Sequence, residues 1–116
     1  MSDRPNFPLI DTVDACPPPC AQEDKRDPIV HVKLFCPWGA ATWWITEYDP
    51  SDRTAFGYAF LGDPYMAELG FVSLDELESI TGIAGLTIER DVHFKPKPLS
   101  EALKAHGLDY CAAQFA

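Results

Sequence analysis

The sequence predicts an α+β fold: a small single domain with an antiparallel or mixed sheet of about five strands and two short helices. Three observations predict it. Strand-like runs follow one another from residue 29 to residue 72 with only short turns between them. The helical patterns come late, the first of them opening at Ser73. The chain has 116 residues, enough for one compact domain and not comfortably two.

The elements follow in order. In "IVHVKLF", residues 29–35, Val30, Val32 and Leu34 point one way and Ile29, His31, Lys33 and Phe35 the other, which predicts a half-buried strand. "CPWGA" supplies a turn. "ATWWITEY" predicts a second strand, with Trp43 and Ile45 on one face and Trp44 and Thr46 on the other. Apolar residues on both faces place it centrally in the sheet, burying Trp43. "DPSDRT" is a turn in which Asp49 can accept from a backbone N–H two residues on. "TAFGYAFL", residues 54–61, is a third strand, and Gly57 inside it marks a bulge or a close backbone approach. A short fourth strand lies around 66–72.

"SLDE" is a capping box, with Ser73 at the N-cap and Glu76 three residues on. Leu74, Leu77 and Ile80 form the apolar stripe of that helix, and Gly82 is its expected stop. "GLTIERDVHF", residues 85–94, predicts a fifth strand. "KPKP" reads as a rigid extended linker. "LSEALKAHG" predicts a second helix with Leu99, Ala102 and Leu103 inward and Gly107 as its end. "LDYCAAQFA" is expected to pack Leu108, Tyr110 and Phe115 onto the sheet.

Six of the 11 prolines, Pro5, Pro8, Pro17, Pro18, Pro19 and Pro28, precede the first strand. Residues 1–27 are therefore expected to form a proline-rich extended or disordered arm, and 28–116 the α+β domain. Eighteen acids against nine bases give a net charge of −9. That balance argues against direct nucleic-acid or anionic-membrane binding and permits a basic protein partner. No apolar run approaches the roughly 18–20 residues of a membrane span. No basic stretch leading into an apolar run opens the sequence, so a cytoplasmic location is expected.

Four cysteines stand at positions 16, 20, 36 and 111. Cys16 and Cys20 form a C-x₃-C pair, looser than a zinc knuckle, with no second pair following. Reduced thiols are expected, with Cys36 and Cys111 in or near the core, and no cofactor or metal is implied. The sequence carries no H-E-x-x-H pattern, phosphate loop or Ser/His/Asp set.

The chemistry-bearing candidates are carboxylates and aromatics. Glu47, Asp49, Glu89 and Asp91 would make an acid–base or cation-holding set if the fifth strand neighboured the tryptophan strand. Arg90 stands at an inward position and needs a carboxylate partner, for which Glu47 or Asp49 is expected. Trp38, in its Pro-Trp-Gly turn, is the aromatic expected to be exposed. With Glu47, Tyr48, Asp49, Asp52 and Arg90 it forms the expected binding set.

"TWWITEYDP", "FGYAF", "ELGFVSLDELE", "GLTIERD" and "FKPKPLSEAL" occur in this order across residues 29–104. In this the chain resembles an uncharacterised domain-of-unknown-function family of small proteins of bacterial plasmids and other mobile elements. Trp44 stands where the family pattern has Tyr, and Thr87 where it has Pro. The resemblance implies a bacterial cytoplasmic protein of a mobile element and transfers no catalytic residue. The expected function is non-enzymatic: an acidic surface acting on a host or defence protein, such as a basic nucleic-acid-binding protein, by DNA mimicry in one version. The alternative is a small metal-dependent or acid–base enzyme using the clustered carboxylates.

Overall fold

Strand β3, Thr42–Asp49, is the middle of a five-stranded sheet with the order β5-β4-β3-β2-β6. Its neighbours are β2, Val32–Phe35, and β4, Thr54–Phe60. The edges are β5, Glu68–Ser73, and β6, Glu89–Arg90. Every pairing is antiparallel. A second, two-stranded sheet pairs β1, Ile29–Val30, with β7, Lys97–Pro98. The computed structural model describes residues 8–10 and 16–115. The α+β class is as expected, but the described residues form three helices rather than two: α1, Leu74–Ser79; α2, Leu99–Ala105; and α3, Asp109–Ala112.

The alternation on β3 divides the core in two. Trp43 and Ile45 join Val32, Leu34, Leu74 and Leu77 under α1, while Trp44 joins Tyr58, Phe60, Leu99 and Leu103 under α2 and α3. Trp44, at 1% exposure, is the largest fully buried side chain. Its carbonyl explains Gly57: a Cβ there would lie 2.1 Å from the Trp44 oxygen. The close backbone approach sits beside a bulge in β3 between Ile45 and Glu47, where Ile45 opposes Gly57 and Glu47 opposes Phe56. The extra residue, Thr46, reverses the facing beyond it. Tyr48 is thereby buried with Trp43 and Ile45, and Glu47 turns to the opposite face.

Helix α1 starts as its capping box requires, with Glu76 N donating to Ser73 Oγ at 3.2 Å. It stops at Ile80 rather than Gly82, because Gly82 has another task. Its Cα lies under the Trp38 indole, where a Cβ would be 2.2 Å from Cε2. Helix α2 buries Leu99, Ala102 and Leu103 and ends in a Schellman motif: Leu108 N donates to Leu103 O and Gly107 N to Lys104 O. Helix α3 follows at once and buries Cys111 and Ala112, leaving Tyr110 exposed against Tyr65.

The predicted strand over 85–94 shrinks to Glu89–Arg90. A 3-10 turn at Ile83–Gly85 precedes it, and the Asp91 side chain accepts from His93 N at 3.0 Å to turn the chain just after it. The run at 29–35 is divided at His31, and the "KPKP" segment is not a free linker, since Lys97–Pro98 pairs with β1.

The described part of the N-terminal segment is packed, which moves the folded body upstream of residue 28. Leu9 and Ile10 are buried in the cluster under α1, and residues 16–27 are hydrogen-bonded to the sheet and to α2. A proline-rich stretch lacks periodicity but can still be held through its backbone groups. The remainder of the expected arm, 1–7 and 11–15, lies outside the described residues.

Candidate functional site

The five candidate acids do not converge. Strand β2 lies between β3 and β6, and Glu89 pairs with Phe35 at the Thr42 end of β3, away from Glu47 and Asp49. The fifth strand neighbours the 29–35 run, not the tryptophan strand. Among the described residues, no group of three or more His, Cys, Asp or Glu is placed to hold a metal ion.

Each candidate acid with a hydrogen bond is occupied by the chain's own backbone. Glu47, at 6% exposure, accepts from Cys20 N at 2.9 Å and from Gln22 N at 2.8 Å, one bond per oxygen. Asp49 accepts from both Ser51 N and Ser51 Oγ, and these bonds hold its carboxyl below the usual value of 3.8. Asp52 accepts from Thr54 N. Asp91 accepts from His93 N and lies 3.7 Å from Lys33 Nζ. These are turn caps, each satisfying a donor that folding would otherwise orphan.

The expected ion pair between Arg90 and Glu47 or Asp49 does not form. Arg90 Nη1 instead donates to Leu9 O at 3.3 Å, tying the N-terminal segment to β6. Trp38 is half-buried and packs against the core under α1 rather than standing free. Tyr48 is buried, which raises its phenol above the ordinary 10, and its N–H donates to Pro17 O at 2.9 Å.

Arg53 was not singled out from the sequence. It sits at φ 57° in the β3–β4 turn, its Nε 2.8 Å from Asp75 and its Nη2 against Glu78. Burial opposes the guanidinium charge, and Glu78 outweighs it, so the pKa is raised. Glu78 also accepts from Leu9 N at 3.0 Å, so Arg53 pins a turn, a helix and the N-terminal segment together. The "SDRT" turn signal marks the loop but not its long-range partner.

Among the described residues, two surface regions stand open to a ligand or partner. One is a hollow of about 440 Å³ at the Thr42 end of β3, lined by Lys33, Asp91, His106, Phe35 and Phe60 among others. There the His106 ring lies edge-on to Trp44 and Phe60, at 5.1 and 6.1 Å between centroids. Partial burial and then the Lys33 ammonium push its pKa below 6.5. The site thus offers a neutral imidazole and an ammonium already facing a carboxylate.

The other region runs along β5. Phe71, 75% exposed, stacks edge-on against Phe56 with centroids 5.0 Å apart. Beside this pair lie hollows of about 260 and 200 Å³, the first roofed by the 19–26 turn and the second bounded by Asp49 and Asp52. On the opposite face, Trp43, Gly57, Gly70 and Val72 border a third hollow of about 170 Å³. The sequence marks β5 as a strand and points to no role for it. The signal available was a six-residue strand, "ELGFVS", carrying neither lysine nor proline.

No helix among the described residues is long and apolar enough to cross a membrane. Comparison with curated proteins and with solved structures finds no significant match. A family match covers residues 13–107, which includes every strand of the sheet, the packed 16–27 segment and helix α2. On that match the chain belongs to the family described as "Protein of unknown function (DUF2958)".

Proposed function

We propose that this protein is a non-enzymatic interaction module that engages a basic protein partner through its acidic surface. The carrying observation is how its carboxylates are used. The acids that looked catalytic are divided between opposite ends of β3, and Glu47, Asp49, Asp52 and Asp91 are bound to local or arm backbone. An acid–base pair needs groups free to exchange protons with a substrate, and these are committed to turns. What remains is a chain of net charge −9 whose Glu23, Asp52 and Glu68 are exposed near the open β5 side of the sheet.

In this reading the protein acts in the cytoplasm of a bacterium, in the service of a mobile element. Its partner is a host or defence protein with a basic surface, such as one that binds nucleic acid. The acids then compete for the groove that nucleic acid would fill.

The test is capture from bacterial lysate at low and at high salt, with the retained proteins identified. Basic proteins retained at low salt, lost at high salt, and lost again with Glu23→Lys/Glu68→Lys would support the reading. Retention indifferent to both salt and charge reversal would sink it. Calorimetric titration with Mg²⁺, Mn²⁺ and Zn²⁺ tests the enzymatic alternative, and stoichiometric binding of any of them would revive it.

A further inference from the structure

We propose that the outer edge of β5 is a strand-addition site for an extended, basic segment of another protein. This rests on the acidic-surface reading above and specifies its geometry. Strand β5 is paired along its whole length with β4, from Thr54 opposite Ser73 to Ala59 opposite Glu68. Among the described residues no strand pairs its other side. Its outward N–H and C=O groups therefore form a template for one more strand.

The two edges of the sheet are treated differently. Strand β6 offers only two residues, ended by the Asp91 turn and followed by Lys95-Pro96-Lys97-Pro98. Shortness, lysine and proline are the usual guards against unwanted pairing. Strand β5 is six residues long and has none of them.

An added strand would also find places for its side chains, which alternate between faces. On one face it would meet Phe71 and the hollow beside Phe56 and Leu69. On the other it would meet the hollow bordered by Gly70, Val72 and Trp43.

Charge selects the occupant. Glu68 stands at one end of β5, and Asp49 and Asp52 lie at the other, where Asp49 opposes Thr54 and Thr54 opposes Ser73. Glu23 lines the hollow between them, together with Lys25 and Arg26. A second copy pairing antiparallel would bring Glu68 toward the Asp49–Asp52 end of its twin, setting like charge against like. A segment alternating apolar and basic residues meets the same acids favourably.

The probe is fluorescein-labelled acetyl-Lys-Val-Lys-Val-Lys-Val-Lys-amide, followed by anisotropy against the full chain. The controls are the Glu-for-Lys peptide and two Lys peptides N-methylated at alternate amides, one in each phase. Saturable binding is expected, at least tenfold weaker for the Glu peptide and for one N-methylated phase. Phe71→Ser should weaken it about tenfold with only a small fall in Tm, since that side chain lies mostly in solvent and loses only its edge contact with Phe56. No binding of the Lys peptide would overturn the proposal. Salt-sensitive binding that ignores both N-methylation and Phe71→Ser would overturn the edge while leaving the acidic-surface reading intact. A dimer in sedimentation that Phe71→Ser dissociates would assign the edge to a second copy instead.

Discussion

Glu47 and Gln22 are locked by reciprocal use of backbone: Gln22 N donates to Glu47 Oε2 at 2.8 Å, and Gln22 Nε2 donates to the carbonyl of the neighbouring Thr46 at 2.9 Å. Gln22 is itself buried and also exchanges two bonds with Ile29. Removing the Glu47 carboxylate orphans two backbone donors at once. Glu47→Ala is expected to cost about 2–6 kcal/mol, from about one to three for each buried unsatisfied group. A double-mutant cycle on urea midpoints should show coupling of Glu47 to Gln22, whose side chain holds the same turn through Thr46 O and Ile29, and additivity of Glu47 with Arg90. Coupling to Arg90 instead would refute the observed pairing.

Deleting residues 1–27 should lower the melting temperature by at least about 10 °C, at about 4 °C per kcal/mol for a domain of this size. The deletion removes buried Leu9 and Ile10, the Gln22 network and Asp27. A shift under about 5 °C, read by circular dichroism, would mean these contacts carry little energy.

Asp27 caps a helix from a distance. Its Oδ1 accepts from Ser100 N at 2.9 Å and its Oδ2 from Ser100 Oγ at 2.6 Å, at the start of α2. The cap residue itself, Pro98, has no side-chain acceptor, so Asp27 supplies it. Asp27→Ala should cost about 1 kcal/mol, as loss of a cap does. An unchanged urea midpoint would rule out that role.

Gly82 is required by Trp38. Gly82→Ala must displace the indole and should destabilise by about 1–3 kcal/mol, the usual range for overpacking. Combining it with Trp38→Leu should recover part of the loss, because the smaller side chain yields the space. Two simply additive losses would show that the contact is not the cause.

His31 and His106 give the stability a defined pH dependence. Burial is the first cause of lowering in both, followed by Lys25 for His31 and Lys33 for His106. A lowered folded pKa means that the unfolded chain binds protons first. The contribution is present above about 6.5 and is lost as pH falls from there toward the folded values. Asp91 also lines the His106 hollow, where it faces Lys33 at 3.7 Å. The urea midpoint of wild type, minus that of His31→Gln/His106→Gln, should decrease between pH 7.5 and pH 5. A constant or rising difference would contradict the assignment.

Periodicity revealed what is local. The faces of Trp43 and Trp44, the Ser73 cap, the inward residues of α2 and the Asp49 turn were all legible, because each depends on residues within a few positions. Strand order was not. Nothing in "GLTIERD" says that β6 adds beside β2, and that single placement decides whether Glu89 can meet Glu47. The Thr46 bulge was also hidden, since one extra residue leaves the composition of β3 unchanged while exchanging the faces of Glu47 and Tyr48. Helix α3 is four residues long, too short to establish a period. Glu47 was recognisable as an acid, but its partners Cys20 and Gln22 lie 27 and 25 residues away in an aperiodic stretch.

The Leu9 backbone has a consequence for how the chain is made. Its N–H is bonded 69 residues downstream, at Glu78, and its carbonyl 81 residues downstream, at Arg90. During synthesis at about 5–20 residues per second, Leu9 is joined to the chain roughly 4–16 seconds before Arg90 is. Throughout that interval the apolar pair Leu9-Ile10 has no finished site to enter. Closing such distant contacts is slow, so the docking of the Leu9 segment onto elements made after it should come late in folding. Until then the Leu9-Ile10 segment is exposed to chaperones and proteases.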